Sequence, residues 1–317
     1  MRVAAVDLGT NTTRLLVADV DDGRIEELHR ETRITRLGEG VDARRRLLPV
    51  PIARVRNVLS EYRRTLESLG AERTLVVATS AVREAENGEA FLGEVEWSYG
   101  FSTMLLSGEE EGRLTRRGVG SGREPDPGTL ILDIGGGSTE LIVDEHHDSL
   151  ELGSVRQTER FLHGDPPERD ELAACAAAVR SVLAERVPDE IRRRVDAAIG
   201  VAGTLTTLAA LDLGLERYDR ERVHGHRLSR DGARTQLERL AALPLTERRA
   251  VPALEPERAP VIVAGAVILV ETLDFFGLDA IEASELDILD GAALAAAELP
   301  SPEEGAAPPG AYTCCGD

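Results

Sequence analysis

The segment Leu132–Glu145 reads LDIGGGSTELIVDE. Two short apolar runs flank Gly135, Gly136, Gly137, Ser138 and Thr139, which predicts strand, tight turn, strand. Glycine lets a ligand come close to the backbone. Three of them followed by two hydroxyls exceed what a plain hairpin needs. Upstream, Val6–Asp19 reads VDLGTNTTRLLVAD. At an offset of 126 residues, five of fourteen positions are identical: Asp7/Asp133, Gly9/Gly135, Thr13/Thr139, Leu15/Leu141 and Val17/Val143. Four more are conservative, among them Thr12/Ser138. Each copy ends an apolar strand on an aspartate, makes a small or hydroxyl-rich turn and enters a second apolar strand. A repeated device of this kind predicts two related domains facing one another.

The chemistry of the turn points to an anion. Successive N–H groups in a Gly/Ser/Thr turn form a concave nest, and the hydroxyls add donors. Asp7 and Asp133 would repel phosphate directly. They make sense if a divalent cation lies between carboxylates and phosphate oxygens. Two ordinary hairpins with glycine-rich turns are the alternative, and the second copy, with its own aspartate, weakens it. A third candidate, AAIGVAGTLTTLAAL (Ala197–Leu211), reads as a strand, a turn at Gly200, Gly203 and Thr204, and a helix. A helix start with exposed N–H groups suits an anion, although many strand-to-helix turns carry these residues.

Length and composition set the frame. The chain has 317 residues, 42% of them hydrophobic, which suits two globular domains. No apolar run is long and uncharged enough to span a bilayer. The opening MRVAAVDLG lacks the succession of a signal peptide. Cys175 falls in an alanine-rich helical stretch, and Cys314 and Cys315 follow a Pro/Gly/Ala-rich segment. No disulfide framework is visible, so a reducing cytoplasm is expected. The net charge of −20 argues against nucleic acid and anionic membranes as partners. Screening acts over about 8 Å at physiological salt, so a local pocket can still differ in sign. All 37 basic residues are arginine, a chain-wide bias that singles out no position.

Between the motifs, Arg24–Thr35 extends the first hairpin as a third strand. The spacing of Val55, Val58, Leu59, Tyr62 and Leu66 predicts a helix over 51–69. Strands are expected at 73–79, 101–106 and 281–284, and helices near 168–186, 230–242, 258–276 and 288–299. Ser121–Gly128 reads as the linker, dividing a first domain, 1–121, from a second, 122–287; residues 300–317 read as a disordered tail. Strands alternate with helices throughout, so the fold class is α/β.

In SGEEEGR (Ser107–Arg113), Ser107 and Glu110 fit a capping box, and acidic side chains suit a helix's first turn. Glu109 and Glu110 thus have structural reasons to be present. Glu111 falls outside the box, and a carboxylate there could orient and deprotonate an attacking water. Arg83, in SAVREAENG (Ser80–Gly88), follows a strand and could bind phosphate, or serve as an ordinary surface arginine. His224–His226 reads as an exposed strand or loop.

Together AAVDLGTNT, TSAVREAENG, LLSGEEEGRL, LDIGGGSTEL, GVAGT and SELDILDG, in this order, resemble the exopolyphosphatase/guanosine pentaphosphate phosphatase (Ppx/GppA) family of the actin-like ATPase superfamily. The resemblance implies two actin-like (ribonuclease H-like) domains with an interdomain cleft, and a last helix, about 288–299, that returns to the first domain. It implies Glu111 as the catalytic base. Phosphate contacts would come from Gly9, Thr10, Asn11 and Thr12, from Arg83 and Asn87, from Gly135 through Thr139, and from Gly203 and Thr204. Mg²⁺ (or Mn²⁺) would be held at Asp133 and Glu140, with Asp7 as an outer participant. The substrate would be polyphosphate or guanosine pentaphosphate (pppGpp). The folded part is read as ending near 300, where longer members carry extra helical domains, so neither a grip on long polyphosphate nor the mode of a homodimer follows from the resemblance. Two rival readings are an actin-like small-molecule kinase using ATP and a non-catalytic nucleotide or phosphate sensor.

Overall fold

The computed structural model describes residues 1–300. The expected disordered tail, with Cys314 and Cys315, lies outside the described residues apart from Pro300. The chain divides into two units, Met1–Ser107 together with the chain from Ile288 onward, and Gly108–Asp287.

The first unit contains strands β1 (Arg2–Leu8), β2 (Thr12–Asp21), β3 (Arg24–Ile34), β4 (Arg73–Ala78) and β5 (Ser102–Leu105). Its helices are α1 (Val41–Arg44), α2 (Pro49–Leu69), α3 (Ser80–Glu84) and α4 (Gly88–Tyr99). The strands lie in the order β3-β2-β1-β4-β5. The β1–β2 and β2–β3 pairs are antiparallel, and the β1–β4 and β4–β5 pairs parallel. Side chains alternate across a strand, so Ala4, Val6 and Leu8 share one face. They meet Val55, Leu59 and Tyr62 of α2, three of the residues whose spacing predicts that helix. The Tyr62 hydroxyl is satisfied in this core by donating to the Thr13 carbonyl, 2.9 Å away.

The second unit begins with α5 (Gly108–Gly120), followed by β6 (Thr129–Ile134), β7 (Thr139–Val143) and β8 (His146–Leu150). Then come α6 (Ser154–Phe161), α7 (Arg169–Arg186), α8 (Asp189–Arg194), β9 (Ala197–Val201), α9 (Ala202–Asp212) and α10 (Arg220–Val223). The unit closes with β10 (Arg227–Ser229), α11 (Arg230–Ala242), α12 (Leu245–Arg248), α13 (Ile262–Phe276) and β11 (Ala280–Ala283). Its sheet order is β10-β11-β9-β6-β7-β8. Read from β8, two antiparallel pairs are again followed by two parallel ones, with β10 added antiparallel at the far edge. The near-copy in sequence is therefore a near-copy in topology.

The last helix, α14 (Ile288–Glu298), packs on β1, β2 and β4 of the first unit. The counterpart position on the second sheet belongs to α5, which packs on β7 and β8. This moves the boundary expected at residue 121 back to Ser107/Gly108. The physical reason is the buried face of α5: Gly112, Thr115, Gly118 and Val119 are buried, and Val119 joins Ile131, Ile142 and Ile199 of the second sheet.

Candidate active site

The turns at Gly9 and Gly135 are built alike. The Gly9 N–H donates to the Thr12 carbonyl at 2.9 Å, and the Gly135 N–H to the Ser138 carbonyl at 3.0 Å. Behind each turn a second segment, arriving after the third strand, ties up the loop carbonyls. In the first unit the Thr10 carbonyl accepts from Gly38 N–H (2.8 Å) and the Asn11 carbonyl from Thr35 and Arg36 (3.0 and 2.9 Å). In the second, the Gly135 carbonyl accepts from Ser154 N–H (2.9 Å) and the Gly136 carbonyl from Val155 and Arg156 (2.9 and 3.2 Å). The Gly137 carbonyl accepts from Arg156 Nε at 2.7 Å. A trans peptide sets its N–H opposite the preceding C=O. The N–H groups of Gly136, Gly137 and Ser138 therefore turn away from this buttress together, and so do those of Asn11 and Thr12. Such a run of amides is an anion nest. The Thr139 side chain plays a different part: its hydroxyl donates to the Leu152 carbonyl and is fully buried.

The carboxylates of the second unit share one sheet face. Asp133 stands opposite Glu140, and Glu140 opposite Ser149. The face is the one under α5, since a Cβ on Gly108 would lie 2.4 Å from Ser149 Cβ and one on Gly112 would lie 2.7 Å from His147 Nδ1. Burial holds the His147 imidazole below its usual range, neutral against the helix. Glu111 lies in the first turn of α5. It is 6% exposed, whereas the side chain of Glu109 in the same turn is 68% exposed. A buried carboxylate beside exposed neighbours is unusual unless it has a task or a partner.

In the first unit the same positions are ion-paired. Asp7 stands opposite Arg14 and accepts from its Nε at 2.9 Å. Asp290, in the first turn of α14, accepts from Arg30 Nη2 at 2.6 Å. Arginine occupies the place of Glu140, so Asp7 is neutralised within its own sheet. Among the described residues no group of three or more His, Cys, Asp or Glu side chains could hold a metal ion. Asp133 and Glu140 form a pair, which fits Mg²⁺, an ion usually held by one or two carboxylates with substrate phosphates and water completing the shell.

Arg83 is half-buried and donates from Nη1 to the Leu106 carbonyl at 2.7 Å, just past the end of β5. The Asn87 amide is engaged with backbone: Oδ1 accepts from Leu47 N–H at 2.8 Å and Nδ2 donates to the Leu47 carbonyl at 3.1 Å. Asn87→Ala is accordingly expected to cost roughly 1–3 kcal/mol of stability with kcat kept, read by urea unfolding and kinetics. A fall in kcat at unchanged stability would give the amide a role on substrate. At the third turn Ala202 holds φ 63, a left-handed angle a non-glycine residue adopts only under constraint. The Arg258 guanidinium packs on Gly203, where a Cβ would lie 2.0 Å from its Nη1. His226 Nε2 lies 2.8 Å from Asp212 Oδ2, which gives that loop histidine a structural partner.

Sequence reasoning missed Gly38, Gly153, Arg156, Ser149 and Arg258. Each acts through a contact that depends on the third strand of a hairpin or on a distant helix, and none has a local signature.

Two related actin-like α/β units, each with a buttressed glycine- and hydroxyl-rich turn at the C-terminal end of its first strand, suit a phosphate-handling protein. Residues 16–296 match the Ppx/GppA phosphatase family, and the chain belongs to that family. It is 39% identical over 320 residues to exopolyphosphatase 2 of Mycobacterium tuberculosis, covering 93% of this chain and 98% of that one. It is 29% identical over 222 residues to the guanosine-5′-triphosphate,3′-diphosphate pyrophosphatase of Aeromonas salmonicida, covering 68% of this chain and 45% of that one. The crystal structure of the Aquifex aeolicus Ppx/GppA family member superposes with a TM-score of 0.78 at 32% identity, over 94% of this chain and 97% of that one.

Proposed function

We propose that the protein is a phosphohydrolase that removes the terminal phosphate of polyphosphate, of pppGpp, or of both. The observation that carries the reading is the second unit's site. The outward amides of Gly136, Gly137 and Ser138 stand at the end of the strand that bears Asp133, and Glu140 and the helix of Glu111 lie on the same sheet face as that carboxylate. The amides and the Ser138 hydroxyl bind the terminal phosphate. Glu111 accepts a proton from a water, whose oxygen attacks the terminal phosphorus in line. The bond to the bridging oxygen breaks, and orthophosphate and a chain shorter by one phosphate leave. Asp133 and Glu140 would hold Mg²⁺ or Mn²⁺, which supplies charge neutralisation to phosphate oxygens when bound. Gly9–Thr12, Arg83, Gly203 and Thr204 are proposed as further phosphate contacts, Asp7 serving its loop through Arg14. A cytoplasmic location goes with this reading; no helix among the described residues is long and apolar enough to cross a membrane.

The test is phosphate release by purified protein with Mg²⁺ from short polyphosphate, long polyphosphate, pppGpp and ATP in parallel. Release from polyphosphate or pppGpp supports the reading and names the substrate. Turnover of ATP alone, rising with an added acceptor, would make the protein a kinase, and binding without turnover would make it a sensor.

A further inference from the structure

Ser149 carries no charge and takes no step in the proposed reaction, yet it touches two of the site's three carboxylate-bearing elements, β7 and α5. It completes the row Asp133–Glu140–Ser149 across β6, β7 and β8. Its hydroxyl donates to Glu140 Oε1 at 2.8 Å. Its other side meets α5: a Cβ on Gly108 would lie 2.4 Å from Ser149 Cβ and 3.0 Å from Oγ. Only glycine lets the helix start settle that close, three residues before Glu111. One side chain thus orients a buried carboxylate, 1% exposed, and sets the seat of the turn that carries the general base.

We propose that Ser149 is a positioning residue with two separable tasks. Its hydroxyl fixes the rotation of the Glu140 carboxylate and so aims its oxygens at the cation. Its Cβ, against Gly108, fixes the height of Glu111 over the sheet. The inference rests on the proposed assignment of the cation to Asp133 and Glu140. A hydrogen bond from outside the coordination shell tunes a ligand in this way, and its loss typically weakens metal binding about 10–100-fold.

The experiment titrates the purified full-length chain with Mn²⁺ alone, reading free Mn²⁺ by its electron paramagnetic resonance signal. Wild type, Ser149→Ala and Ser149→Thr are compared, with thermal midpoints beside them and kcat at saturating metal. Ser149→Ala should stay folded with a somewhat lowered midpoint, from the hydrogen bond that Glu140 loses. It should bind Mn²⁺ roughly tenfold more weakly, and extra metal should restore most of its turnover. Ser149→Thr keeps the donor and adds a methyl beside Gly108, so Mn²⁺ affinity should hold while kcat falls. Equal Mn²⁺ affinity in wild type and Ser149→Ala, equal loss in both variants, or no binding by wild type would each overturn the proposal. If the Mn²⁺ pattern holds and wild type releases no phosphate from any substrate, the hydrolase reading fails and the positioning role stands.

Discussion

Glu111→Gln should lower kcat for phosphate release by about 10²–10⁴-fold, the usual contribution of a general base. The amide keeps the size and polarity of the carboxylate but cannot accept the proton of the attacking water. Stability should change little, because the substitution adds no volume to α5. Glu109 and Glu110, exposed in the same turn, provide the control: their glutamine variants should keep full activity. That contrast separates a base from a general need for negative charge near the helix start. Activity of Glu111→Gln above a tenth of wild type would remove Glu111 from the mechanism, leaving the anion loop without an activated nucleophile.

Gly153→Ala should be strongly damaging although it lies away from the reacting groups. At φ −135 and ψ 152 the Gly153 backbone is ordinary extended chain, so alanine meets no torsional penalty. The penalty is a collision: the added Cβ would lie 2.2 Å from the Gly136 oxygen and 2.4 Å from the carbonyl carbons of Gly136 and Gly137. Overpacking of this kind costs about 1–3 kcal/mol. The loop must move to relieve it, and it moves at the peptides whose N–H groups are proposed to bind the phosphate. A displacement near 1 Å in a positioned site can cost about 10²-fold in rate. The expected result is a folded protein with a lowered unfolding midpoint and kcat/KM for short polyphosphate reduced by about that factor. Wild-type kinetics in this variant would show that the amides of residues 136–138 are not where phosphate binds.

Much of this was legible before any coordinates. The repeat of VDLGTNTT in LDIGGGST predicts paired hairpins because a strand–turn–strand unit is local. Glu140 enters only through the family resemblance, and it is the register of β6 and β7 that sets it opposite Asp133. The helix of Val55, Leu59 and Tyr62 was legible because its apolar stripe runs at helical spacing. The allegiance of α5 was not, because its buried side is made of two glycines, a threonine and Glu111, with Val119 its one large buried apolar residue, and such a surface names no partner sheet. The unequal roles of Asp7 and Asp133 stand in the alignment as Arg14 against Glu140, but an arginine there reads as a surface charge until the register sets it beside the aspartate. The buttresses at Thr35–Gly38 and Gly153–Arg156 are farther from view still. They lie two strands beyond their loops, and backbone N–H donors leave no trace in residue type.

The most direct test of the account is the fate of solvent oxygen. Linear pentaphosphate would be incubated with wild-type protein and Mg²⁺ in ¹⁸O-labelled water, and the products resolved by phosphorus-31 nuclear magnetic resonance. Attack of water at the terminal phosphorus predicts orthophosphate carrying one ¹⁸O atom and an unlabelled tetraphosphate, at a rate that collapses in Glu111→Gln. Label in the tetraphosphate, or consumption of the chain without labelled orthophosphate, would contradict it.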